Sequence, residues 1–123
     1  MKTIRFIFVF LLSTMFWQCA EDESPVMKNN PLEITMKSSD AYRHDFNISG
    51  DEEGAVIIQQ AKHALKSEIV RDETTNWNVV YIYQPDENFN GADSVQIETC
   101  TGGDGSINSC TTDTVKFNFL VEN

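Results

Sequence analysis

Asp86, Asn88, Asn90 and Gly91, in the stretch DENFNG, occupy the first, third, fifth and sixth places of a calcium loop. In such a loop oxygen ligands alternate ahead of a glycine that permits a sharp bend. The closing place requires a bidentate Glu, and here it is Ile97, with Glu98 one residue late. The strongest ligand is therefore missing. Asn, Asp and Gly also make turns, with Pro85 fixing φ and Asn90 and Gly91 suited to positive φ. A turn is the reading adopted; calcium in another geometry is the lesser alternative, and no cofactor is expected. His63 has neither a partnered nucleophile nor a second ligand at metal-binding spacing, and His44 lies on a core parity, where a hydrogen-bonded packing residue is expected rather than a metal ligand. The glycines of TGGDG precede no helix that would hold a phosphate, and a hairpin accounts for them. Trp77, Tyr81 and Tyr83 would form a sugar platform on an open sheet face, but a buried aromatic stripe is the expected role. No catalytic set emerges, and the chain is read as a non-enzyme.

The elements that position these residues follow from a period of two, which marks strands with one buried face. Leu32, Ile34 and Met36 alternate with polar neighbours, as do Tyr42, His44, Phe46 and Ile48. Trp77, Val79, Tyr81 and Tyr83 share one parity, and Val80 and Ile82 on the other suggest a strand covered on both sides. Val95 and Ile97, then Val115, Phe117, Phe119 and Val121, complete the pattern. Turns fall at SGDEEG, QPDENFNG and TGGDGSINS. The stretch from Ala55 to Asp72 is ambiguous, because Ala61, Leu65 and Ile69 sit at helical spacing. Two strands, Ala55 to Gln59 and Lys66 to Val70, joined by a corner at Lys62 to Ala64, are preferred over a short helix. Seven strands result, the count of an all-β immunoglobulin-like antiparallel sandwich over residues 31–123.

Charge and the chain start bear on location. Of 123 residues nine are Lys or Arg and nineteen Asp or Glu, a net charge of −10. Such an excess of acid argues against nucleic-acid partners, which need basic side chains on their phosphates. Lys2 and Arg5 precede an apolar run from Phe6 to Phe16, too short to span a bilayer as a helix and patterned as an export signal. MFWQCAEDES resembles the end of a bacterial lipoprotein signal, in which Cys19 becomes the lipidated first residue. Residues 1–18 are then the signal peptide and 19–30 a flexible acidic tether. The acids after Cys19 are similar to the tag that sends Bacteroidetes lipoproteins to the outer face of the outer membrane. Lipid at Cys19 would tie the chain to a membrane. Export also implies an oxidising compartment, so Cys100 and Cys110 are expected to bridge. If they pair directly across a hairpin, paired residue numbers sum to 210, setting Val95 opposite Val115 and Ser94 opposite Lys116.

YIYQPDENFNGADSVQIETC resembles a run in bacterial cadherin-like and immunoglobulin-like domains of surface proteins, carried by Tyr83, Pro85, Phe89, Gly91, Asp93 and Ser94. The resemblance implies a β-sandwich in which Phe89 plugs the bottom of the core and Asp93 braces the corner. Taken with the lipoprotein-like start, the expected role is a lipid-anchored binding module at the cell surface, with an unidentified protein or glycan partner. The alternative is a structural accessory subunit of an envelope complex, marked by a continuous apolar patch on one sheet face.

Overall fold

A computed structural model describes residues 30–104, 106 and 109–123. Cys19, the signal and nearly all of the tether lie outside the described residues. Seven strands follow in order: β1 Leu32–Lys37, β2 Tyr42–Asp45, β3 Gly54–Gln59, β4 Ala64–Val70, β5 Val80–Pro85, β6 Gly91–Thr101 and β7 Thr111–Glu122, with one 3-10 turn at Glu73–Thr75 between β4 and β5. They form a four-stranded sheet ordered β1-β7-β6-β3 and a three-stranded sheet ordered β2-β5-β4. The expected all-β, immunoglobulin-like sandwich is the fold. Its strand pairs are antiparallel except β1 with β7, which run parallel.

The two layers meet through side chains at every second position. Tyr81, Tyr83, Val95, Ile97, Phe117, Phe119 and Val121 form one buried cluster. Aromatic rings from β5 lie on those of β7: Tyr83 stacks on Phe119 at 3.9 Å and 10°, and Tyr81 on Phe117 at 5.6 Å and 27°. Tyr42 of β2 sets its edge against Phe119 at 5.4 Å. Edge and offset arrangements of this kind add about 0.5–1.5 kcal/mol per pair beyond the area they bury. Val79 and Val80 are also buried, so the chain entering β5 is covered on both sides.

Ala55 to Asp72 is a pair of strands and not a helix, and the corner at Lys62 to Ala64 carries the chain from one sheet to the other. Three details differ from the sequence reading. Residues paired between β6 and β7 sum to 212, so Val95 faces Phe117 and Ser94 faces Asn118. Cys100 stands opposite Thr112, and Cys110, just before β7, reaches it with Cα atoms 5.4 Å apart. The slip of two keeps every side chain on its face, which is why alternation alone did not exclude it. Secondly, Trp77 leaves the core parity. Asp72 caps the 3-10 turn by accepting the N–H of Thr74 at 2.8 Å. Asn76 and Trp77 then adopt φ of 52° and 63°, and Trp77 emerges 57% exposed. Thirdly, β2 stops at Asp45, whose Oδ1 accepts the N–H of Asn47 at 2.7 Å while Asn47 turns left-handed. Phe46 and Ile48 still face inward beyond the strand, half-buried and buried respectively.

Candidate functional site

DENFNG is a turn: the N–H of Phe89 donates to the carbonyl of Asp86 at 3.1 Å. Positive φ falls on Asn88, at 62°, and on Gly91, at 143°, and Asn90 is not left-handed as expected. At Gly91 a β-carbon would meet Phe89 only at ordinary contact distance, so the glycine answers to backbone conformation. Among the described residues no three His, Cys, Asp or Glu side chains gather as a metal set.

The turn delivers its neighbours to one end of the sandwich. Tyr83 and Pro85 lie buried on β5, Phe89 packs half-buried against the core, and Asp93 of β6 is 7% exposed. The carboxyl group of Asp93 is saturated. Oδ1 accepts the N–H of Lys62 at 2.9 Å and that of Ser94 at 2.9 Å; Oδ2 accepts the N–H of His63 at 2.9 Å and the hydroxyl of Tyr83 at 3.1 Å. One side chain thus holds the corner between the sheets. Burial first, and then the neighbouring charge of Asp93, push the Tyr83 hydroxyl well above its ordinary range. Burial likewise pushes Tyr81 up to about 12, partly offset by its hydrogen bond with Ser67.

Outside this brace lies a hollow of about 570 Å³ on the outer face of the four-stranded sheet, between Glu33, Ser94, Asn118, Gln59 and the Lys62–His63 corner. Register explains its chemistry. One cross-strand row is Glu33, Asn118 and Ser94, and the next is Lys116, Gln96 and Gln59. Asn118 Nδ2 donates to Glu33 Oε1 at 2.8 Å, and Gln96 Nε2 to Gln59 Oε1 at 2.8 Å. The rows beyond them hold exposed apolar residues, Leu120 on one side and Val56 on the other. Two polar rows therefore separate Leu120 from Val56.

His63, Asp93 and Ser94 meet at this hollow, the residue types of a nucleophilic triad. Their geometry is not that of one. The His63 ring lies flat on Phe89, with centroids 4.4 Å apart and 10° between planes. Among the described residues no hydrogen bond joins that ring to Ser94 or to Asp93, whose oxygens serve backbone amides and Tyr83. A nucleophile needs its base within hydrogen-bond reach and the base held by a third group. What the site offers is a fixed array of amides, a hydroxyl and both signs of charge.

The other end of the sandwich is organised by Arg71, which the sequence reading passed over. Its Nε donates to the carbonyl of Trp77 at 2.9 Å, Nη1 to that of Glu53 at 2.8 Å, and Nη2 to those of Ser49 and Gly50 at 2.8 Å each. Glu53 continues the chain of contacts, with Oε2 accepting the N–H of Gly50 and Oε1 that of Gly102 at 2.7 Å, next to the disulfide. At Gly103 a β-carbon would sit 2.8 Å from the carbonyl oxygen of Glu52, so only glycine fits there. A lone arginine just after a strand, followed by a capped acidic turn, was the signal available.

Comparison with protein families, with curated proteins and with solved structures finds no match to this chain.

Proposed function

We propose that this chain is a non-enzymatic module displayed at the outer membrane or cell surface. Lipid on Cys19 holds it to the membrane, and its sandwich binds a protein or glycan partner in the hollow of the four-stranded sheet. The observation that carries this reading is the pair of polar cross-strand rows closed by the Lys62–His63 corner. They set amide donors and acceptors at fixed positions around a concavity, and concavity with a few convergent polar groups is what a binding site requires. The separation of Leu120 from Val56 weighs against the accessory-subunit alternative, which calls for one continuous apolar face.

The test is capture of partners from cell envelopes by the full chain, with and without calcium, beside Asn118→Leu and Gln59→Leu variants of unchanged melting temperature. The reading expects a discrete partner, at least tenfold depleted in both variants. Equal capture by the variants would remove the hollow from the function. Labelling with radioactive lipid precursor that fails on wild type as it fails on Cys19→Ser would remove the anchor.

A further inference from the structure

A sheet edge carries a row of backbone N–H and C=O groups open to another chain, and proteins commonly blunt such edges with charge. Here the edges are β1 and β3 of one sheet and β2 and β4 of the other. β1 carries Glu33 and Lys37, β2 Arg43 and Asp45, and β4 the ion pair Lys66–Glu68 at 3.1 Å. β3, of sequence GAVIIQ, carries no charge, and Gln60 and Ala61 after it extend the neutral stretch. Its Val56 and Ile58 are 54% and 51% exposed, and Leu65 on the neighbouring edge strand is 62% exposed. This edge combines an open backbone with β-branched side chains left in water.

We propose that β3 joins two copies of this chain, antiparallel about a two-fold axis, so that their four-stranded sheets continue into each other. The charges at the strand's ends select this occupant. Asp51 and Glu52 precede β3, and Lys62 and His63 follow it, all four exposed. An antiparallel pairing about Ile57 sets Val56 near the partner's Ile58 and brings the acidic end of the strand, with Asp51 and Glu52, to the partner's end that carries Lys62. A two-fold axis makes each pairing twice. A parallel arrangement would set acid against acid. Over the rest of a surface with net charge −10 two copies repel; along β3 the repulsion is absent, and at its ends it is reversed. The bulge between Ile57 and Gln59 keeps the regular ladder short, which places the contact among small, reversible interfaces.

This inference is independent of the partner-binding reading, although the second copy's Asp51 and Glu52 would border the hollow at Lys62. The test is sedimentation of the full chain in neutral detergent from about 1 µM to about 1 mM, the range in which a narrow interface dissociates. The expected result is a monomer passing to a dimer and going no further. Val56→Lys with Ile58→Lys should stay monomeric throughout, with unchanged circular dichroism. Glu52→Lys alone and Lys62→Glu alone should each weaken the dimer by about tenfold, and the two together in one chain should restore it. A monomer at every concentration overturns the proposal, as does a dimer indifferent to the paired lysines. Should the paired lysines unfold the chain, the charge exchange decides: failure of the double variant to restore the dimer overturns the proposed register.

Discussion

The two ends of the sandwich are held by opposite means. At one end an acid, Asp93, gathers backbone N–H groups from the Lys62–His63 corner and a tyrosine hydroxyl from the facing sheet. At the other a base, Arg71, gathers backbone carbonyls from Ser49, Gly50, Glu53 and Trp77. In each case an ionisable side chain is met by the dipoles of chain segments that have left their strands. Loops cannot satisfy their own polar groups as strands do, and a buried group left without a partner costs roughly 1–3 kcal/mol. The ends differ in depth. Asp93 is almost fully buried, whereas two of the four bonds of Arg71 are exposed and that end is supplemented by a disulfide. A deep brace needs no covalent help; a shallow one is doubled.

The comparison breaks most sharply at Asp93. Asp93→Ala strands three backbone amides and the Tyr83 hydroxyl and should cost about 4 kcal/mol, or roughly 20 °C in melting temperature for a domain of this size. Calorimetry reads it, and a loss under about 1 kcal/mol would mean that water replaces the carboxyl group there. Replacing Cys100 and Cys110 by serine should cost about 3 kcal/mol on the chain-entropy account of a loop this short. Denaturant unfolding measures it, with the slope unchanged. Arg71→Ala should cost about 2 kcal/mol, less than the Asp93 change because its carbonyls can turn to water. Arg71→Lys should recover only part of this, since an ammonium lacks the planar fork.

The smallest effect sharpens the contrast through titration. Burial raises the pKa of all three tyrosines, with Asp93 adding to the rise at Tyr83 and, to a smaller extent, at Tyr81. A phenol whose folded pKa lies above its unfolded value of about 10 contributes stability that is fully present below pH 10. That stability is lost as pH rises through the folded pKa. Absorbance at 295 nm should therefore show phenolate appearing only together with unfolding. In Asp93→Asn the midpoint of that absorbance rise should fall, because the carboxylate that raises Tyr83 and, to a smaller extent, Tyr81 is gone. An early Tyr83 midpoint in the unaltered chain would remove the bond to Asp93.

Much of the sandwich was legible in the sequence because a half-buried strand leaves each side chain only two choices. Val95, Ile97, Phe117, Phe119 and Val121 fall on one parity and are buried together. The same alternation is blind to a slip of two, so the hairpin register had to come from the geometry at Cys110. Trp77 was misplaced because a capped turn at Asp72 outweighed a matching parity, and local hydrogen bonds of Asp and Thr compete with strand continuation. Arg71 was overlooked because its partners are carbonyls, which every residue carries. The polar hollow was equally hidden: Glu33, Asn118 and Ser94 are unremarkable singly and become a row only when register sets them side by side.

The parallel union of β1 with β7 has a mechanical consequence. Leu32 begins β1 opposite Phe117, and Lys37 ends it opposite Glu122. Tension applied between the chain before Leu32 and the chain after Glu122 runs along both strands in opposite senses. It loads their shared hydrogen bonds together rather than peeling them one after another. Such a joint resists pulling until all its bonds give way at once, and the core behind it stays closed for as long as it holds.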